Sequence, residues 1–119
     1  MSAAEDTLAF QLRAVGIPFE REYRFDPSRR WRADFYIAPR DEDIGDGWRQ
    51  FTPGCLVEVD GGGYVAGRHS RGAGMEKDAE KQSAAAILGY RVLRVTPKQV
   101  EEGLALKWIQ AALGIERAA

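Results

Sequence analysis

The sequence predicts one mixed α/β domain built on a mixed sheet. Three observations lead there. The chain has 119 residues, enough for one core that buries roughly two-thirds of the unfolded surface and too few for two. Its apolar residues recur at helical spacing in some segments and alternate strictly in others. The resulting order is helix, three strands, helix, strand, helix. Three consecutive strands form a meander, and a helix then crosses over to a fourth.

The elements follow in turn. Ser2-Ala3-Ala4-Glu5 is a capping-box pattern, with Leu8, Leu12 and Val15 behind it at helical spacing. Gly16 and Pro18 end that helix. Phe19 to Phe25 alternates apolar and charged residues and reads as a strand, and Asp26-Pro27-Ser28 is a turn. From Trp31 to Ala38 the alternation is strict: Trp31, Ala33, Phe35 and Ile37 fall on one face, Arg32, Asp34 and Tyr36 on the other. Pro39 to about Gly54 reads as a polar connecting loop. Cys55 to Asp60 is a short apolar strand carrying two acids, stopped by Gly61-Gly62-Gly63. After a loop to Gly74, Met75 to Leu88 predicts a helix with Ala84, Ile87 and Leu88 as its late apolar stripe. Gly89 caps it and Tyr90 to Thr96 is a buried strand. Pro97 opens a last helical region, broken at Gly103 and resumed through Leu104, Trp108, Ile109 and Leu113.

Composition excludes several chemistries. One cysteine, Cys55, rules out an internal disulfide framework and a multi-cysteine zinc site. One histidine, His69, rules out schemes that need two. No apolar run reaches membrane-spanning length and the N-terminus lacks a signal-peptide core, so the expectation is a soluble cytoplasmic protein. The net charge is only −1, but 13 of the 17 basic residues are arginine, the side chain whose planar fork holds two phosphate oxygens at once. Arg21 to Arg32 carries five arginines against Glu22 and Asp26, and Gly61 to Met75 carries Arg68, His69 and Arg71 with no acid. Any nucleic-acid face is therefore local; solvated loop charge accounts for the same residues.

Glu58 and Asp60 are the residues the apolar pattern does not explain. Charged groups are rarely buried unless paired or metal-bound. With a period of two they project to one face, and Asp34 holds the equivalent position in its own strand. If those strands pair, three carboxylates converge and repel one another unless a hard cation binds, and Mg²⁺ prefers such oxygen ligands. Solvent exposure, or pairing with Arg32 or Arg94, is the alternative.

Asp34, the strand end Glu58-Val59-Asp60-Gly61-Gly62, the loop Gly67-Arg68-His69-Ser70-Arg71, the helix segment Asp78-Ala79-Glu80-Lys81 and the strand Arg91 to Val95 together resemble the PD-(D/E)XK nuclease superfamily. Within it, the closest resemblance is to small phage-type nucleases and Holliday-junction-resolvase-like proteins. The resemblance spans Glu5 to the Arg94 strand. It implies a restriction-endonuclease-like core, αβββαβ plus a C-terminal helix, over residues 1–119. It also implies a Mg²⁺-dependent endonuclease, with Mn²⁺ able to substitute, that hydrolyses phosphodiesters of duplex or branched DNA such as recombination intermediates, in a bacterial or phage-infected cytoplasm. Asp34 and Glu58 would ligate the metal with the Val59 carbonyl as a third donor.

One departure matters. The lysine expected two residues after Glu58 is Asp60, which cannot supply an ammonium to the transition state. Some superfamily members take that lysine from the following helix. Lys81, sharing a face with Ala84 and Leu88, is the better candidate and Lys77 the second; simple helix pairs, Lys77 with Glu80 and Lys81 with Asp78, are the competing reading. The catalytic set is then Asp34, Glu58, Asp60 and Lys81. Glu5 is either an accessory to the metal site or only a helix cap. Arg68, His69, Arg71 and Lys77 would grip phosphate, and Gln82 would touch a base or water, or face solvent. Trp31 and Trp108 fit apolar faces. A homodimer would suit symmetric cutting of two strands. Asp60 in the lysine position supports a different reading, a non-catalytic nucleic-acid-binding module that retains the nuclease fold.

Overall fold

The computed structural model describes residues 2–60 and 72–114. Its four-stranded sheet has the order β1-β2-β5-β6, from β1 (Glu20–Tyr23), β2 (Ala33–Ile37), β5 (Cys55–Val59) and β6 (Val92–Val95). β2 runs antiparallel to both β1 and β5, with Phe35 opposite Arg21 on one side and Val57 on the other. α2 (Gly72–Ile87) carries the chain over to β6, which joins β5 in parallel. The mixed α/β sheet is the one the sequence predicts, with four further elements around it: α1 (Ala3–Ala14), α3 (Pro97–Glu101), α4 (Leu104–Ala112) and a hairpin of β3 (Arg40–Gly45) and β4 (Trp48–Thr52). No helix among the described residues is long and apolar enough to cross a membrane.

Alternation sorts the side chains to two cores. Phe35 and Ile37 of β2, with Cys55, Val57 and Val59 of β5, meet Leu8 and Leu12 of α1 and Val100, Ile109 and Leu113 from the C-terminal helices. On the other face Leu56 packs with Phe25, Ala33 and Ala85, roofed by Tyr23, Tyr36 and Tyr90. Ser2 Oγ accepts the Glu5 N–H at 3.1 Å to start α1. Thr96 and Gln99 form a reciprocal capping box at α3, with Pro97 at the first helical position. Gly103, at φ +83°, makes the break before α4 that Gly103 predicts.

Four expectations need correction. The stretch read as a loop, Pro39 to Gly54, is the β3–β4 hairpin. Its tip, Gly45-Asp46-Gly47, takes positive φ throughout, the chemistry of a tight Asp-Gly turn between strands. Ala33 and Trp31 separate from Phe35 and Ile37, joining the core under α2. Ile87 and Leu88 do not form a packed stripe but stand 84% and 48% exposed; the small Ala85, 2% exposed, is what lets α2 lie against the sheet. Val15 and Trp108, at 45% and 39% exposure, sit at the solvent border rather than in the core. At the base of the hairpin Gly54 has no room for a side chain, because the Ile37 carbonyl occupies the place a Cβ would take.

Candidate active site

The site forms where β2 and β5 part. The pair beyond Phe35–Val57 is interrupted by a side chain: Asp34 Oδ2 accepts the Val59 N–H at 2.7 Å. Asp34 thus serves as a ladder acceptor while remaining half-buried. Glu58 lies on the neighbouring strand, near enough for the Asp34 charge to act on it. Lys81, projecting from α2, places Nζ 2.8 Å from Glu58 Oε2 and donates to the Arg32 carbonyl at 2.8 Å. Of the two lysines, Lys81 is the one brought to the acids; Lys77 is exposed on the helix. The Lys81–Asp78 and Lys77–Glu80 helix pairs give way to Lys81–Glu58 and to Arg29–Glu80, the latter 2.9 Å.

Two further carboxylates close on Asp34 from the other side. Oxygens of Glu5, in the first turn of α1, and of Glu22, on β1, lie with one of Asp34 inside a 4.8 Å group. Sequence reading missed Glu22. The register places Glu22 across from Asp34, between the flanking pairs Arg21–Phe35 and Tyr23–Ala33, and nothing within its own strand marks it. Glu22 holds φ +54°, which costs an L-residue about 1–2 kcal/mol. Arg21 reaches toward this group, 3.6 Å from Glu5 and 3.1 Å from Asp6.

Burial raises the pKa of Asp34, Glu58 and Glu5 alike. The Val59 N–H and the Lys81 charge oppose the rise at Asp34; Lys81 opposes it at Glu58, where the Asp34 charge adds to it; Asp34 and Glu22 add to it at Glu5. Three desolvated acids thus hold their protons to higher pH than free carboxylates do.

Asp60 goes elsewhere. It pairs with Arg94 at 2.8 Å, and Arg94 also donates to Gln82 Oε1 at 3.3 Å. Asp60 and Gln82 therefore meet Arg94 rather than the Asp34–Glu58 pair, which is the Arg94 alternative the sequence left open. Arg68, His69 and Arg71 lie outside the described residues. Cys55 is buried, its thiol pushed up to about 11 by burial, and takes no part in the site.

The strain at Glu22 makes a prediction. Glu22→Gly removes both an unfavourable φ and a like charge opposite Asp34, so the variant is expected to gain about 1 kcal/mol. Urea unfolding reads this as a higher midpoint at unchanged slope; a lower midpoint would show that the Glu22 side chain makes a net favourable contact.

Comparison of the chain with protein-family models, with curated proteins and with solved structures gave no match.

Proposed function

We propose that this protein is a divalent-metal-dependent endonuclease of the PD-(D/E)XK type, hydrolysing phosphodiesters of duplex or branched DNA. The observation that carries the reading is the grouping of two acids from adjacent strands with a lysine from the next helix: Asp34 bonded to Val59, Glu58 beside it, and Lys81 2.8 Å from Glu58. The restriction-endonuclease-like arrangement of the core belongs to the same proposal.

The donor set suits a hard cation. Glu5 Oε1 is buried without a hydrogen-bond partner and has Arg21 Nη2 3.6 Å away, a single cation set against the grouped oxygens of Glu5, Glu22 and Asp34, which repel one another unless further positive charge joins them. Asp34 and Glu58 would hold Mg²⁺ or Mn²⁺, with the Val59 carbonyl as a third donor and Glu5 and Glu22 within reach. When bound, such an ion polarises a phosphoryl oxygen and makes a water more acidic. The chain's own part is then electrostatic and positional. The Lys81 ammonium, fixed between Glu58 and the Arg32 carbonyl, stands where charge develops on the phosphate and requires no reorganisation to meet it. Arg68, His69 and Arg71, with Lys77, would hold the nucleic-acid backbone. Hydrolysis adds water across the P–O bond, leaving one phosphate end and one hydroxyl end.

Labelled duplex, flap, single-stranded and four-way-junction DNA, incubated with Mg²⁺, Mn²⁺ or EDTA, tests this. Cutting with either metal and none in EDTA is the expected result, and the preferred substrate identifies itself. Salt-sensitive binding without cutting under any metal would instead identify a non-catalytic binding module. Within the same assay Lys81→Met is expected to lower turnover about 10²- to 10³-fold, the effect of removing one preorganised charge donor. Lys77→Met, which removes only a backbone grip, should raise KM and leave kcat nearly intact. Equal losses in both would mean that the lysines act only through the surface field.

A further inference from the structure

The β3–β4 hairpin stands apart from both cores. Every residue from Asp41 to Phe51 is exposed, including Ile44, Trp48 and Phe51 at 58%, 69% and 66%. A two-stranded ribbon is marginal in water by itself, and among the described residues no strand pairs with either of its outer edges, whose N–H and C=O groups are open to another chain. The two edges differ in chemistry. β3 reads Arg40-Asp41-Glu42-Asp43-Ile44-Gly45, with a register irregularity between Asp43 and Gly45. Whichever of its acids lay at a two-fold axis would face itself, and a bulge further blunts that edge. β4 reads Trp48-Arg49-Gln50-Phe51-Thr52 and has one charge, Arg49, already paired with Asp41 at 3.0 Å.

We propose that the open β4 edge is a homodimer interface, pairing antiparallel with β4 of a second copy of this chain about an axis through Gln50. Symmetry limits the registers. Directly opposed residues of an antiparallel pair share a face, so the axis must pass through a residue that opposes itself. An axis at Arg49 sets two guanidinium groups against each other. An axis at Phe51 sets Arg49 against Pro53, which has no N–H to give. The axis at Gln50 pairs all five residues and opposes no like charges.

Charge complementarity extends across the whole four-stranded ribbon. Because Asp41 is opposite Phe51 and Asp43 opposite Arg49, one row runs Asp41, Phe51, then Arg49 and Asp43 of the second copy. Each Arg49 lies over the other copy's Phe51 ring, a cation–π pair made twice, and stays flanked by acids. The central row is Glu42, Gln50, Gln50, Glu42, with the two amides hydrogen-bonding at the axis. A five-residue edge buries little area, so the dimer is weak and concentration-dependent. The proposal is independent of nuclease activity, and its test reads mass.

Sedimentation velocity of the full chain over a concentration series is expected to show a monomer–dimer equilibrium. Gln50→Glu and Gln50→Lys each place like charges at the axis and should weaken dimerisation at least about tenfold; their equimolar mixture should restore it, since opposite charges then meet. Gln50→Cys adds a check that does not depend on charge. Opposed Cα atoms in an antiparallel pair are about 4.5–5.5 Å apart, within disulfide reach, so mild oxidation should cross-link two copies through residue 50 and not through Glu42→Cys on the blocked edge. A wild-type chain monomeric at every concentration, or equal cross-linking from both edges, would overturn the proposal.

Discussion

Asp34→Asn is expected to abolish metal-dependent cleavage, by at least about 10³-fold, while leaving the protein as stable as the wild type or more so. The two effects separate because Asp34 has two jobs. As an acceptor it bonds the Val59 N–H at 2.7 Å, and an asparagine carbonyl oxygen can do the same. As a charge it stands between Glu58 and the Glu5–Glu22 pair, and asparagine removes that charge. Three decades of rate correspond to about 4 kcal/mol of barrier, within the several kcal/mol that metal ligation of a phosphoryl oxygen supplies. Asp34→Ala removes both jobs. It leaves the Val59 N–H without a partner, at a cost of about 1–3 kcal/mol, so it should be equally inactive but less stable.

The same charges set a pH dependence. Asp34, Glu58 and Glu5 all have pKa values raised in the fold, each chiefly by burial. Between the ordinary carboxylate values, about 3.9–4.3, and the raised ones, the folded chain binds more protons than the unfolded chain. Stability therefore falls as pH rises through that window. Urea midpoints from pH 4 to pH 7 should show this decline in wild type, and a smaller one in Asp34→Asn. Mg²⁺ at neutral pH should restore part of the loss by binding only the folded state. Retained cleavage in Asp34→Asn, or a stability that rises with pH through the same window, would remove the metal-site reading.

The parts of this site legible in the sequence are those where one strand's alternation conflicts with its composition. Glu58 within Leu56-Val57-Glu58-Val59, and Asp34 between Ala33 and Phe35, stand out because an apolar environment tolerates a carboxylate only with a partner. Lys81 was legible as a helix-face position, although the neighbours that define that face are Ala85 and the sheet, not Leu88. Glu22 was not legible, since its strand alternates without conflict and its φ of +54° is a property of the folded backbone. Asp60 illustrates the opposite limit. Period two puts it on the Glu58 face, but the parallel neighbour β6 brings Arg94 opposite Glu58, and a guanidinium at 2.8 Å claims the acid. Arg94 was one of the two partners the sequence offered, and the sheet order selects it over Arg32. The hairpin was missed for a different reason: β3 is acidic on both faces, so the polarity of a solvated ribbon outweighed the Asp46-Gly47 turn signal.

Phe35→Ala is expected to cost about 3–5 kcal/mol of stability, the range for deleting a buried aromatic side chain, and a large share of the about 5–15 kcal/mol that holds a domain together. Phe35 is among the fully buried side chains, 0% exposed at the centre of β2. It meets the Phe19 ring edge-on at 5.4 Å and 62°, and the Arg21 guanidinium lies 5.4 Å from its ring centre. It also faces Leu8 and Leu12 in the larger core, so the void left by alanine opens between the sheet and α1 rather than at a surface that can collapse. The consequence reaches the site. Asp34 precedes Phe35 on β2, Glu5 sits on α1, and Arg21 reaches toward Glu5 from β1; all three depend on the layer that Phe35 fills. Phe35→Ala should therefore lose cleavage together with its urea midpoint, and cooling or added Mg²⁺ should recover activity as the folded fraction rises. Asp34→Asn, folded and inactive, should recover nothing under either treatment. A Phe35→Ala chain that unfolds within about 1 kcal/mol of wild type would show that α1 repacks onto β2 without the ring, and that the larger core tolerates the loss of its central side chain.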